Sequence, residues 1–349
     1  MGAATAAGLA AGPAPIAVVG ATGLVGELLL DLLAEAGVPA RAVMALATER
    51  REARAVAYGS EQLAVQGLQE DTLGRAAVAF MATPNEVSAH WAPWAARRGT
   101  LVIDKSSRWR MDPAVPLVVP EVNGHHLVPG VRLVSTPNCS TIPLAMVLNL
   151  VRRHRALVRV VVSTYQAVSG SGREALEEWA AQARAEWAGI PAPPPRAYPA
   201  PIAGNVLPQC DVFGEAGFTG EEWKLMRETQ KVLDSPVPVV ATAVRVPVAV
   251  GHSESVAIQC AGPVAASEVH TWLSDAPGIR LADDPAQGIF PTPREAAGTD
   301  DVWVGRVRSD PYAADTVHLF LSCDNLRKGA ALNGLHILAE AIRRGAISA

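Results

Sequence analysis

The sequence predicts an α/β protein in two domains, an N-terminal doubly wound parallel sheet followed by an α+β domain. Three observations carry this. Short apolar runs alternate with helical stretches from Ile16 to Val134, the βαβ rhythm of a parallel sheet. A glycine-rich turn joins the first apolar run to the first helix. Beyond Val158 the runs become β-branched and alternating, as in a largely antiparallel sheet.

Composition narrows the classes open to the chain. Of its 349 residues 49% are hydrophobic and 18% charged, so a sizeable core is affordable. Net charge is −4 with no long basic run, which argues against nucleic acid or an anionic membrane as partner. Cys139, Cys210, Cys260 and Cys323 lie far apart with no C-x-x-C pair. That fits a reducing compartment and neither a disulfide framework nor a zinc knuckle, so no metal is expected. No apolar run reaches the roughly 18 residues of a membrane helix. Met1 to Pro15 is Ala/Gly/Pro-rich without Lys or Arg, and reads as a loose tail on a cytoplasmic protein.

Ile16 to Val19 is the first strand. Gly20-Ala-Thr22-Gly23-Leu24-Val25-Gly26 follows at once and opens a helix to about Ala36. Strand, glycine turn and helix N-terminus make a dinucleotide-binding unit, because glycines let the backbone approach a pyrophosphate and the helix end faces its charge. The spacing G-x-x-G-x-x-G is one residue longer at its start than the common fingerprint. The second strand, near Ala42 to Ala47, ends in Thr48-Glu49-Arg50-Arg51. Two arginines there suit a ribose 2′-phosphate, hence NADP, although Glu49 suits a free ribose. Ala76 to Ala82 and Leu101 to Ile103 are buried-type strands around a helix from Pro84 to Arg98, whose Trp91 and Trp94 read as packing. Asp104-Lys-Ser-Ser-Arg108-Trp-Arg110 then lies at a strand's carboxyl end, where an arginine can clamp a phosphate or carboxylate.

Ser135-Thr-Pro-Asn-Cys139-Ser-Thr141 sits between a short strand and a helix from about Ile142 to Val151. Pro137 and Asn138 turn the chain, and Pro143 suits a first helical turn. Cys139 is thereby placed at a helix N-terminus, whose unpaired N–H groups and dipole favour thiolate over thiol. Val158 to Thr164 is a strand leading to a second glycine turn, Ser169-Gly170-Ser-Gly172, and a helix from Arg173 to about Ala188. Pro191 to Pro201 holds six prolines in eleven residues, an irregular connection. Thr219-Gly-Glu221-Glu222 is a capping box for a helix to Leu233, with Glu221 and Lys224 on one face. Strands at Val239 to Val246 and Ser253 to Cys260 are joined through Arg245 and Gly251-His252, a charged cluster with Glu254. Val302 to Arg308 and Val317 to Ser322 complete the second sheet. Asn325-Leu-Arg-Lys-Gly329 opens a last helix to about Arg343, whose face of Leu332, Leu335, Ile337, Leu338 and Ile342 is expected to pack on the first domain.

These landmarks together resemble the aspartate-semialdehyde dehydrogenase family from Ile16 to the C-terminus: the Gly20–Gly26 turn, Val118-Val-Pro-Glu-Val-Asn123, Pro137-Asn-Cys-Ser-Thr141, Thr164-Tyr-Gln-Ala-Val-Ser-Gly170, Arg245-Val-Pro247 with Gly251-His-Ser-Glu-Ser255, and Asp324-Asn-Leu-Arg-Lys-Gly329. The resemblance implies a Rossmann-type domain (16–138 with 325–349, after a 1–15 tail) and a catalytic and dimerisation domain (139–324) of the glyceraldehyde-phosphate-dehydrogenase-like type. It implies NADPH-dependent reductive dephosphorylation of β-aspartyl phosphate to aspartate β-semialdehyde, reversible with phosphate, in a homodimer or homotetramer. By the family pattern Cys139 is the nucleophile, His252 its acid/base partner and Gln166 the residue orienting substrate. Arg245 and Glu221 match the binders of the substrate's carboxylate and amino group, and Arg110 and Lys224 the phosphate-site pair. Gly20, Thr22, Gly23, Leu24, Val25, Gly26, Arg50, Arg51, Ser169, Gly170 and Asn325 match cofactor contacts. Lys105 stands where the pattern has Asn, and Arg51 where Ser is common.

Other readings are N-acetyl-γ-glutamyl-phosphate reductase, a paralogue acting on an aspartyl-phosphate analogue, and a catalytically silent NADP-binding relative. The Asn-Cys-Ser-Thr and Gly-His-Ser-Glu-Ser segments favour the aspartate enzyme over the first. Cys139, Gln166, Arg245 and His252 together speak against the last.

Overall fold

The structure is a computed structural model that describes residues 8–48 and 55–347. Contacts divide the chain into two compact units, Met1–Pro137 with Ala330–Ala349, and Asn138–Gly329.

The first unit holds seven strands: β1 (Ile16–Val19), β2 (Val43–Ala47), β3 (Ala55–Tyr58), β4 (Glu61–Gly67), β5 (Val78–Met81), β6 (Leu101–Asp104) and β7 (Leu133–Ser135). Their order is β3-β4-β2-β1-β5-β6-β7, parallel throughout except for the β3–β4 hairpin. β1, β5 and β6 are buried on both faces, which is why they read as unbroken apolar runs. Leu29 and Leu33 of the Leu24–Glu35 helix, with Leu335 and Leu338 of the Leu332–Arg343 helix, cluster with Phe80 and Ile103 on one face. Ala92 and Trp94 of the Asn85–Ala96 helix join Ala79 and Met81 on the other. The last helix thus packs where its apolar face predicted, and Trp91 and Trp94 are packing residues in edge contact at 5.5 Å. Strand order reverses between β1 and β5, so the ligand crevice of such a sheet lies outside the carboxyl ends of these two strands.

The second unit holds β8 (Leu157–Gln166), β9 (Val239–Arg245), β10 (His252–Cys260), β11 (Ile279–Leu281), β12 (Val302–Ser309) and β13 (Thr316–Cys323). Their order is β11-β12-β13-β10-β8-β9. The three central pairings are antiparallel and the two edge pairings, β11–β12 and β8–β9, parallel. The sheet is therefore mixed, because β9 returns to pair with β8 only after the Arg173–Ala188 and Gly220–Val232 helices. Helix Thr141–Arg152, with ten of its twelve residues buried, packs with Gly220–Val232 in this unit.

The unit boundaries differ from the sequence division at two places, with Asn138 falling in the second unit rather than the first. Asn325–Gly329 belongs to the second unit rather than continuing the last helix. A π-helical turn, Arg327–Ala331, separates the two, and a Cβ on Gly329 would lie 3.2 Å from Cys139 Cβ. Close approach to the cysteine explains both the glycine and the assignment.

Candidate functional site

Sheet register alone gathers most of the predicted residues of the second unit. Gln166 pairs with Arg245, Ser253 faces Tyr165 so that His252 falls opposite Gln166, and His252 pairs with Cys323. Arg245, Gln166, His252 and Cys323 thus form one transverse row across β9, β8, β10 and β13. The next row carries Thr164 and Leu321 on either side of Glu254.

Cys139 is half-buried, two residues before the Thr141–Arg152 helix, and none of the four cysteines is in a disulfide. Its neighbour Asn138 anchors it. Asn138 N–H donates to the Glu228 carboxylate at 2.6 Å, its side-chain amide donates to Glu221 at 2.8 Å, and its Oδ1 accepts Ser140 N–H at 2.9 Å. Glu221 Oε1 also accepts Gln166 Nε2 at 3.0 Å, and Lys224 Nζ lies 3.4 Å from Oε2. Lys224 in turn donates to Asp211 at 2.6 Å, which holds that carboxyl below its ordinary range. Asp211 has φ +71°, a strained backbone for a non-glycine residue.

His252 is 1% exposed, and its Nδ1 accepts the Ala167 N–H at 2.9 Å. Arg245 Nη1 donates to the carbonyl of the same Ala167 at 2.6 Å. Burial first, and then the nearby guanidinium, push the imidazole pKa well below its usual value. Gly170 packs against this pair: a Cβ there would lie 3.0 Å from Arg245 Nη1 and 3.1 Å from His252 Nε2. Asn325, predicted as a cofactor contact, has its side chain engaged within the protein. Its Oδ1 accepts Ser169 Oγ at 3.1 Å and Gly251 N–H at 2.9 Å, tying the second glycine turn to the start of β10.

In the first unit the glycine turn has the shape a dinucleotide needs. Gly20 has φ +86°, and a Cβ there would lie 2.2 Å from Ala82 O; on Gly26 it would lie 2.1 Å from Gly20 O. Thr22, Gly23, Leu24 and Val25 follow, and no side chain caps the helix start at Gly23. Arg110 lies nearly buried beyond β6, its guanidinium donating to Lys105 O at 2.8 Å. The β6-end carboxyl Asp104 accepts Ser106 Oγ at 2.6 Å and also bonds Ser88; burial raises its pKa against these donors and Arg110. Arg50 and Arg51 lie outside the described residues.

Sequence reasoning gave Asn138 only a place in the turn, and passed over Asp211 and Glu228. Glu228 sits two turns beyond Glu221 on its helix, a period that flags a shared face, but the Asp211 contact is set by a loop with no local signal.

A family model described as semialdehyde dehydrogenase, NAD binding domain, matches residues 15–129, and one described as semialdehyde dehydrogenase, dimerisation domain, matches residues 149–328. The aspartate-semialdehyde dehydrogenase of Aquifex aeolicus is 39% identical over 336 residues, 95% of this chain and 99% of that protein. That of Bacillus subtilis is 39% identical over 338 residues, covering 94% and 97%. Among solved structures, Vibrio cholerae aspartate semialdehyde dehydrogenase II complexed with ASA superposes with TM-score 0.91 at 37% identity, over 97% of this chain and 100% of that one. A probable aspartate-semialdehyde dehydrogenase from Pseudomonas aeruginosa gives 0.89 at 31% identity, over 96% and 100%.

Proposed function

The chain belongs to the aspartate-semialdehyde dehydrogenase family, and on that premise we propose that it reduces β-aspartyl phosphate to aspartate β-semialdehyde with NADPH, reversibly with phosphate, through an acyl-thioester on Cys139. The observation that carries this is the tie of Asn138 and Gln166 to one carboxylate, Glu221, beside the cysteine and in the row of Arg245 and His252. A thioester splits one difficult displacement into two easier ones. Glu221 meets the substrate ammonium and Arg245 its carboxylate; Lys224 and Arg110 meet phosphate. A nicotinamide cofactor supplies the hydride, its pyrophosphate taken by the Gly20–Gly26 turn and helix start. Ser169, Gly170 and Asn325 contact the cofactor from the second glycine turn, and Arg50 and Arg51 favour NADP. Among the described residues no helix is long and apolar enough to cross a membrane, in keeping with a cytoplasmic enzyme. The exposed face of the second sheet suits a homodimer or homotetramer.

The test is phosphate-dependent reduction of NADP by aspartate semialdehyde. Wild type is expected to turn over, and Cys139→Ala to lose nearly all activity with its circular dichroism intact. Wild-type turnover in Cys139→Ala would sink the thioester route, and a preference for NADH would sink the cofactor assignment.

A further inference from the structure

The proline-rich connection is strapped to a helix. Pro191 to Pro201 holds six prolines in eleven residues, and the chain on to Gly204 runs along one stripe of the Arg173–Ala188 helix. Glu178, Gln182 and Glu186 are spaced four apart, so they share that stripe. One carboxylate oxygen of Glu178 accepts the N–H groups of Arg196 at 2.7 Å and Ala197 at 2.8 Å. Gln182, fully buried, accepts those of Ile202 at 3.0 Å and Ala203 at 3.3 Å. Gly204 has φ +61°, and a Cβ there would lie 3.1 Å from the Glu186 carboxylate. Prolines fix φ, so the undocked chain has little freedom to lose on being held this way.

Tyr198 stands between the two anchors. Pro199 after it biases its backbone to the extended region. Its ring packs on the cluster of Val168, Ala175, Ile202 and Leu207, and its hydroxyl donates to Ser171 Oγ at 2.9 Å, in the second glycine turn. The Arg245 guanidinium carbon lies 5.8 Å from the ring centroid. That is within the roughly 6 Å over which an aromatic face attracts a cation. The chain just beyond the strap also holds the Arg245 backbone. Arg245 N–H donates to Leu207 O at 2.8 Å, and Leu207 N–H to Arg245 O at 3.0 Å. Arg245 itself is buried, and Nη1 donates to Ala167 O at 2.6 Å. Among the described residues its buried Nε has no hydrogen-bond partner. A buried guanidinium with donors left over is built to take an anion.

We propose that Tyr198 is a positioning residue for the substrate carboxylate: its ring holds the Arg245 guanidinium in the pose that receives that group, and the proline strap holds the ring. This rests on Arg245 being the carboxylate's binder. A two-point grip on a carboxylate needs the guanidinium fork held still. A long side chain that is ordered only on binding spends part of its interaction on that ordering. Here Leu207 fixes the backbone of Arg245, Ala167 O one of its nitrogens, and the Tyr198 ring flanks the fork. Tyr198 acts through Arg245 and needs no contact with substrate.

Steady-state kinetics of phosphate-dependent NADP reduction tests this. Tyr198→Leu and Tyr198→Met both remove the ring and keep apolar bulk, so the outcome does not hang on one variant folding. Each is expected to raise KM for aspartate semialdehyde about tenfold while KM for phosphate and for NADP stays within about twofold. Tyr198→Phe loses the Ser171 bond but keeps the aromatic face, and is expected to recover most of that loss. A site that had merely loosened would raise all three KM values together, and that result overturns the proposal. So does an unmoved KM for aspartate semialdehyde, or a Tyr198→Phe chain as impaired as Tyr198→Leu. Failure of the Arg245 assignment shows separately, as KM for aspartate semialdehyde unmoved in Arg245→Leu.

Discussion

Glu254 and His252 are two residues apart on β10, both buried, and their displaced pKa values load the fold in opposite directions with pH. Glu254 has its folded pKa raised, so between an unfolded value near 4.3 and the folded one the native state binds the extra proton. Stability then falls as pH rises through that window. His252 has its folded pKa depressed, so below about 6.5 the unfolded state binds the extra proton and stability falls as pH drops. The Glu254→Gln chain is therefore expected to gain on wild type as pH is raised from about 4.3, by at most about 1.4 kcal/mol per pH unit within the window. Urea midpoints at several pH values check this; a constant offset between the two chains would mean Glu254 is ionised in the fold. Glu228, also buried, accepts Asn138 N–H at 2.6 Å. Glu228→Ala should cost about 2 kcal/mol by leaving that donor stranded, read as a lower urea midpoint at unchanged slope. The motifs named Cys139, Gln166 and His252 because each stands in a distinctive local string. Glu228 and Asp211 stayed hidden because their partners are 90 and 13 residues away in sequence.

Helices and strands were legible in proportion to the regularity of their burial. β1, β5 and β6, apolar on both faces, matched their sequence limits within two residues at each end. The β3–β4 hairpin was missed, since β4 reads Glu-Gln-Leu-Ala-Val-Gln-Gly with only Val65 fully buried. Its anchor is instead Tyr58, whose hydroxyl bonds Val38 O at 2.6 Å and is pushed up to about 12 by burial and Glu61. The capping box at Thr219 was legible, and both of its bonds form: Glu222 N–H to Thr219 Oγ1 at 3.3 Å and Thr219 N–H to Glu222 Oε2 at 2.6 Å. That helix carries Glu221, Lys224 and Glu228, so its start fixes much of the site. Thr219→Ala is expected to cost about 1 kcal/mol, the usual worth of such a cap. Differential urea unfolding measures it, and a neutral result would show that tertiary packing alone holds the helix end.

At the scale of the molecule, the two-domain division was readable from the change in strand pattern, while assembly was not, because an exposed apolar face resembles a core strand in sequence. β8 and β10 are interior strands, yet Val161 and Tyr165 of β8 are 43% and 39% exposed, and Tyr165 stacks at a tilt on Phe320 at 5.9 Å. Interior strands are not exposed by edge fraying, so an apolar face there marks a surface meant to be covered. A second copy is the occupant the family model's dimerisation domain implies, since residues 149–328 contain the whole face. The rival contact is the Arg173–Ala188 helix, where Trp187 is 95% exposed while Trp179 packs beside Ile202 and Leu207. Val161→Asp would place a charge in a desolvated sheet-to-sheet contact, a change costing several kcal/mol when unpaired. It is expected to shift sedimentation from oligomer to monomer, while Trp187→Ser leaves the oligomer intact. Dissociation by Trp187→Ser and not by Val161→Asp would move the contact to the helix, and the β8 face would then need another explanation for its apolar surface.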